Sequence, residues 1–294
     1  MSLTIELRDL PAVPGAAAAL ADLEGRWVLP DGEELVDAIE VHRARRSLAW
    51  GYWSRWAPGS RDRYAAWWAA RDAWGAVVRS AVPWRADSPG VALRRARAGE
   101  LGEVARAAGD AWVAVRRDAP PRETVWLDVG RTGAAAALDA AGRLAPLVWG
   151  ASRALEEVAR ELGWATHGAA SAAPTPGPCP VWASWRVHGK GWNGQRFHRA
   201  AVVEPPDGAG EWEQLLARHH RPGQVDDVEV VVATPSPSGL WPVGRAIRAA
   251  TYARDVLGAD QRLLLATWPD GRPPAGPDDA EEDRAAAGVW VFSW

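Results

Sequence analysis

The stretch LAPLVWGASRALEEVAREL, residues 144–162, indicates the fold class of the second half of this chain. Its apolar first part has the length of a buried strand, and it stops at Gly150, where a turn begins. In its second part, Leu155, Val158 and Leu162 recur at helical spacing and share one face. The stretch therefore predicts a buried strand followed by an amphipathic helix.

The same alternation extends on both sides of this stretch. Strand-like runs are expected at 124–128, 181–185, 199–203, 228–233 and 263–267, and helical patterns at 133–142, 211–218 and 243–257. Strands that alternate with helices are typical of a parallel, doubly wound α/β sheet. We therefore predict one parallel-sheet α/β lobe over residues 131–268.

The rest of the chain has a different character. Residues 1–130 are rich in tryptophan and predict a mainly helical region, with helices over 33–53, 61–82 and 91–115. Residues 269–294 contain an acidic, proline- and glycine-rich run over 270–283 and predict a solvated loop and tail.

Composition excludes several classes of protein. The 294 residues, 48% of them hydrophobic, contain no apolar run of the length that spans a membrane. The charged residues Glu6, Arg8 and Asp9 do not fit a signal peptide, so a cytoplasmic protein is expected. Cys179 is the single cysteine, which excludes an internal disulfide and a cysteine-built zinc site. The net charge of −3 gives no overall basic field for nucleic acid.

Lysine is almost absent. Of the 34 basic residues only Lys190 is a lysine, and a phosphate-binding P-loop needs a lysine followed by serine or threonine. Gly191 follows Lys190, and Ser184 stands where the first loop glycine belongs. The chain therefore has no Walker A site. Its six histidines show no metal-ligand spacing, so no metal site is expected.

Two further patterns have a functional and a structural interpretation. Residues 189–194 match GxGxxG, but no helix follows to receive a pyrophosphate, which favours a tight glycine turn. Aromatic residues and arginines interleave over 43–64, which suits either a stacking platform for single strands or a packed core. Arg43 and Arg46 belong to the basic part of this stretch and are candidate nucleic-acid contacts.

The strongest signal is QLLARHHRPGQ, residues 214–224. Arg218 and Arg221, three apart, are predicted to share one helical face, and Gly223 can end that helix. Two guanidinium groups aimed at one place form an anion site that suits a triphosphate. The alternative is a solvated, arginine-rich helix end.

This segment resembles motif VI (QxxGRxHRxGQ) of superfamily 2 helicases, in the Swi/Snf-type branch common among phage-encoded DNA helicases. Residues 183–195 resemble motif V, and residues 144–268 follow the order of the second RecA-like lobe. The stretch 26–84 resembles, less specifically, the helical region before that lobe. Ala217 replaces the motif VI glycine, and no first RecA lobe with its DExH quartet is present.

The resemblance implies a fold, and it implies that two lobes share the catalytic groups. It implies a RecA-like lobe in which Arg218 and Arg221 act as arginine fingers. Cofactor contacts would come from Gln214, Gly191, Asn193 and Gln195, and DNA contacts from Ser184, His188 and Lys190. ATP and Mg²⁺ would be shared with an N-terminal RecA-like ATPase lobe on a separate polypeptide, and DNA would be the second partner. We expect no ATP hydrolysis by this chain alone.

Two other functions fit the same residues. The first is a catalytically inactive module, derived from a helicase lobe, that binds nucleic acid or protein. The second is a structural or interaction protein held together by its tryptophans.

Overall fold

The computed structural model describes residues 2–36, 38–81, 89–168, 173–189 and 192–269, which form two units. The α/β unit contains the described chain up to Ala16, Ala49–Gly51, and the described chain from Asp128 onward. The helical unit contains Ala17–Leu48 and Tyr52–Leu127.

The elements follow one another in chain order. They are β1 (Leu3–Asp9), α1 (Ala16–Arg26), α2 (Ala38–Ala49), β2 (Tyr52–Trp56), α3 (Ser60–Arg63), α4 (Ala65–Ala81), α5 (Pro89–Arg97), α6 (Glu103–Val115), β3 (Arg122–Trp126), α7 (Gly130–Leu144), β4 (Leu147–Gly150), α8 (Arg153–Glu161), β5 (Ala165–His167), β6 (Val181–Ser184), α9 (Trp185–His188), β7 (Arg199–Val202), α10 (Ala209–His219), β8 (Val228–Thr234), α11 (Trp241–Leu257) and α12 (Arg262–Leu265). A 3₁₀ turn, Pro237–Leu240, precedes α11. None of these helices is both long enough and apolar enough to cross a membrane.

The α/β unit is built on a six-stranded sheet in the order β1-β8-β7-β4-β6-β5, in which all paired strands are parallel. Strand β4 lies between β6 and β7, with Val148 opposite Trp182 on one side and Ala201 on the other. All four residues of β4 are buried. The predicted mixed α/β fold with a parallel sheet is thereby confirmed, with a helical region in the first part of the chain.

The β1 edge of this sheet differs from the prediction in two ways. Strand β1, which was not predicted, pairs along its whole length with β8, from Leu3 opposite Val228 onward. The predicted strand at 263–267 is wrong, because that apolar run forms the short helix α12. Only Thr267 joins the sheet, where its N–H donates to the Leu3 carbonyl and its carbonyl accepts from Ile5.

Two of the helices predicted in the first part of the chain are interrupted at glycines. The predicted helix over 33–53 is α2 alone, because the chain turns at Gly51 (φ 77°) into strand β2. The predicted helix over 91–115 is divided into α5 and α6 at Gly99 and Gly102, which both have positive φ. Strand β3, predicted as part of the parallel series, instead pairs antiparallel with β2.

Candidate functional site

Helix α10 carries the first candidate arginine. Four of its side chains face the core of the α/β unit at three- and four-residue spacing, namely Trp212, Leu215, Leu216 and His219. Arg218 therefore lies beside the buried face and is partly exposed. The helix ends at His219, so the prediction that Arg218 and Arg221 share a helical face is wrong. The cause is His220, whose backbone (φ −97°, ψ 83°) leaves the helical conformation before Arg221 is reached.

Arg218 is held in place by backbone carbonyls. Its Nη1 donates to the carbonyl of Trp192 at 2.8 Å, and its Nε donates to the carbonyl of Gln214 at 3.1 Å. Burial, and secondarily the charge of Arg221, lower the pKa of Arg218 from its ordinary value. An arginine remains protonated at neutral pH under such a shift, so a fixed positive charge stands here.

Arg221 differs from Arg218 in its contacts. Within the described residues, its guanidinium makes no hydrogen bond or ion pair, and its charge is felt by Arg218. No carboxylate of the described chain pairs with either arginine. Because unpaired cations repel each other, this arrangement has an unsatisfied affinity for an anion.

The loop before β7 is bound to the segment after α10. The N–H of Gly194 donates to the Arg218 carbonyl at 2.9 Å, and Gln195 Nε2 donates to the Pro222 carbonyl at 3.1 Å. In the other direction, Gln224 Nε2 donates to the Gln195 carbonyl at 3.0 Å. The structure thus brings the candidate Gln195 next to the arginine segment, at the amino ends of β7 and β8.

Arg218, Arg221 and Gln195 are called the arginine cluster below. Two further candidates, Asn193 and Gln214, contact it in different ways. Asn193 Nδ2 donates to Gln195 Oε1 at 3.0 Å, and Asn193 Oδ1 accepts from the Gln195 N–H at 3.2 Å, so Asn193 shapes the loop. Gln214 contributes its main-chain carbonyl to Arg218. The candidates Lys190 and Gly191 lie outside the described residues.

His219, to which no sequence motif assigned a role, supports this cluster from inside the protein. It is fully buried: its Nδ1 contacts the Phe197 carbonyl at 2.7 Å, and its Nε2 accepts from Trp149 Nε1 at 3.0 Å. These partners require a neutral ring with the proton on Nδ1. Burial lowers the pKa of His219 to about 4, which agrees with the neutral form. The only sequence signal was its place on the apolar face of α10.

Ser184 and His188 lie at the other end of the sheet. Ser184 ends β6, and His188 ends the short helix α9 that follows; both are buried. His188 Nε2 lies 3.2 Å from the Gly168 carbonyl, and burial lowers the pKa of His188. The structure therefore does not bring these two candidates to the arginine cluster. Their role in DNA binding stays a prediction.

Glu204 occupies the crevice where a ligand of an open α/β sheet is normally expected. The chain leaves β4 toward β5 and β6 on one side and returns to β7 on the other, so a topological switch point lies between β4 and β7. There Glu204 Oε2 accepts from the N–H groups of Ala151 and Ser152, each at 2.7 Å, at the start of α8. A carboxylate of the chain itself thus fills the helix N-terminus. No sequence motif assigned a role to Glu204.

The tryptophan-rich stretch of the first 130 residues is mainly core. Trp50, Tyr52 and Trp53 are each less than a tenth exposed, so their faces are not open to bases. The indole of Trp56 is covered by the Arg122 guanidinium, whose Cζ lies 3.7 Å from the ring centre. These contacts favour the core interpretation over the stacking platform.

The arginines of this stretch have varied surroundings. Arg45 pairs with Glu24 at 3.2 Å and Arg55 with Glu123 at 2.6 Å, which removes much of the expected basic character. Arg43 is exposed and lines a pocket of about 320 Å³. Arg46 is half-buried and has contacts of its own. Nucleic-acid binding by Arg43 and Arg46 stays a prediction.

Comparison with known proteins adds little. No protein-family model matches the chain, and no curated protein matches it. Among solved structures, the C-terminal part of the Fun30 ATPase domain is a weak neighbour. It is 13% identical, with a TM-score of 0.37, over 79% of this chain and 85% of that one. A similarity of this size does not establish a family.

Proposed function

We propose that the α/β unit is the C-terminal lobe of an ATP-dependent superfamily 2 DNA helicase or translocase. In this proposal it completes a nucleotide site whose phosphate loop and Mg²⁺ ligands belong to an ATPase lobe on a separate polypeptide. The motif resemblance of residues 183–195 and 214–224 suggests the function, and the parallel sheet is the fold that it requires.

The observation that carries the proposal is the pair of arginines without a counter-charge. Arg218 is fixed by two backbone carbonyls, while Arg221 has no partner among the described residues. A guanidinium placed in this way can stabilise the charge that develops on a transferred phosphoryl group. Without the phosphate loop and the metal ligands it accelerates nothing, so the lobe is inactive by itself.

The test is reconstitution of ATP hydrolysis. The chain alone is expected to release no phosphate from ATP, and addition of a matching lobe with GxxxxGK[ST] and DExH motifs is expected to start turnover. Arg221→Ala should lower that turnover by about 10³-fold or more, as for other arginine fingers. Arg117→Ala, at an exposed arginine of the helical unit, is the matched control.

Two results would contradict the proposal. Full ATP hydrolysis by the chain alone would show that its site is complete. Turnover of the reconstituted pair that is unchanged by Arg221→Ala would show that the arginine cluster is not the finger. Salt-sensitive DNA binding that survives the loss of both arginines, with no ATPase lobe that responds, would favour the inactive binding module instead.

A further inference from the structure

A cleft of about 720 Å³ opens on the helical unit, far in sequence from the helicase-like segments 183–195 and 214–224. Its walls come from the turn around Gly32, the segment from Arg55 to Arg61, and helix α4. Of the described residues, two indoles, Trp56 and Trp68, line it together with seven charged side chains, which are Asp31, Glu33, Glu34, Arg55, Arg61, Arg71 and Asp72. A volume of this size is in the range of pockets that bind small ligands or a few side chains.

The arginines of the cleft are neutralised by their own partners. Arg71 is buried and donates to Glu33 at 3.3 Å and to Glu40 at 3.1 Å. Arg55 pairs with Glu123 at 2.6 Å. None of these guanidiniums is left to attract an anion.

Two carboxylates of the cleft have no cation as partner. Among the described residues, Asp31 accepts only from neutral donors, which are the Glu33 N–H and the Trp53 indole, both at 3.2 Å. Glu34 is exposed, and its carboxylate makes no hydrogen bond or ion pair within the described residues. The balance of the cleft is therefore negative, which disfavours a phosphate and favours a cation.

Arg61 shows what kind of cation the cleft accepts. Its guanidinium lies over the Trp68 ring, with Cζ 4.3 Å from the ring centre, and its Nη1 is 3.4 Å from Asp72. Arg61 and Asp72 are both more than half exposed, so this pair contributes little and can be displaced. Trp68 is only 6% exposed, and its indole Nε1 has no acceptor in the described chain.

We propose that this cleft binds an arginine-bearing segment of a partner protein. A guanidinium of the partner replaces Arg61 over Trp68, pairs with Asp72, and places further positive charge near Asp31 and Glu34. A planar guanidinium stacks on an indole better than an ammonium does, so arginine is preferred to lysine. The proposal is independent of the ATPase function.

The test uses the full chain and a short fluorescein-labelled peptide of alternating arginine and glycine, followed by fluorescence anisotropy. Glu34→Gln should weaken binding by about threefold to fivefold, since one exposed charge contact is lost. Arg61→Ala should strengthen binding by a similar factor, because it removes the internal competitor for Trp68. Asp118→Asn and Arg117→Ala, at exposed positions outside the cleft, change the net charge equally and should leave binding unchanged.

The opposite signs of the two variants make the result decisive. A general attraction between a basic peptide and an acidic surface would give Asp118→Asn the same effect as Glu34→Gln, and Arg117→Ala the same effect as Arg61→Ala, and would overturn the proposal. Equal binding of a lysine–glycine peptide would refute the preference for guanidinium. A single-stranded oligonucleotide that binds and is weakened by Arg61→Ala would show that the cleft takes nucleic acid instead.

Discussion

Acidification should destabilise the α/β unit through one buried histidine, His219. The folded protein holds His219 neutral between Trp149 and Phe197, and burial lowers its pKa to about 4. In the unfolded chain the pKa of a histidine is about 6.5. The unfolded state therefore binds the extra proton first. The stability due to the neutral ring is present above pH 6.5 and is lost as the pH falls toward 4.

The size of the effect follows from the difference of about 2.5 pKa units. At about 1.4 kcal/mol per unit, the full loss below pH 4 is about 3 kcal/mol. Between pH 7 and pH 5 the same two pKa values give a loss of about 2 kcal/mol in the free energy of unfolding. The measurement is urea unfolding, followed by circular dichroism, at several pH values between 5 and 8.

The matched variant is His219→Gln, which keeps a polar side chain but cannot titrate. The free energy of unfolding of this variant at pH 7 should be lower than that of the wild type, because an amide cannot reproduce both hydrogen bonds. Between pH 7 and pH 5, however, its free energy of unfolding should fall by about 2 kcal/mol less than that of the wild type. His198→Gln, at an exposed histidine, should keep the wild-type slope. Equal slopes for the wild type and His219→Gln would refute the assignment.

Two further changes test the contacts around the sheet. Glu204→Ala leaves the N–H groups of Ala151 and Ser152 without their acceptor, so it should lower the free energy of unfolding in urea by about 1–3 kcal/mol. A change below about 0.5 kcal/mol, which is roughly the level of surface substitutions, would contradict this capping role. Gly150→Ala should destabilise by about 1–3 kcal/mol because its new methyl group overlaps the indole of Trp182. Gly25→Ala, inside α1 with open space around it, is the control and should stabilise the protein by up to about 1 kcal/mol. If both glycine variants changed the free energy of unfolding in the same direction, crowding at Gly150 would not be the cause of its effect.

The strands in the middle of the sheet could be predicted because each has a signal in its own local sequence. The apolar run around Val148 is long enough for a buried strand and too short for a helix, and a turn and an amphipathic helix follow it. Strand β1 has a regular alternation, with Leu3, Ile5 and Leu7 separated by polar residues, but its partner β8 begins only at Val228. A pairing across most of the chain leaves no local signal.

The predictions that were wrong fall where one sequence pattern is compatible with two local structures. The apolar residues of α12 suit a strand or a helix turn equally well, and packing against the sheet decided for the helix. The spacing of Arg218 and Arg221 suggested one helical face, but the backbone at His220 ends the helix between them. The networks of His219 and Glu204 depend on residues more than 20 and more than 50 positions away, which a single sequence does not pair.

The two ends of the sheet differ in their capacity for a phosphate, and this difference supports the proposed shared nucleotide site. At the carboxyl ends of β4 and β7, the Glu204 carboxylate already uses the N–H groups of Ala151 and Ser152, so a phosphate there would meet a second anion at hydrogen-bond distance. At the amino ends of β7 and β8, Arg218 uses two of its five guanidinium N–H donors on carbonyls and keeps three. Arg221, whose charge acts on Arg218, adds its own donors. In the proposed assembly, the ATPase lobe must therefore present its bound nucleotide to the amino-end side of this sheet.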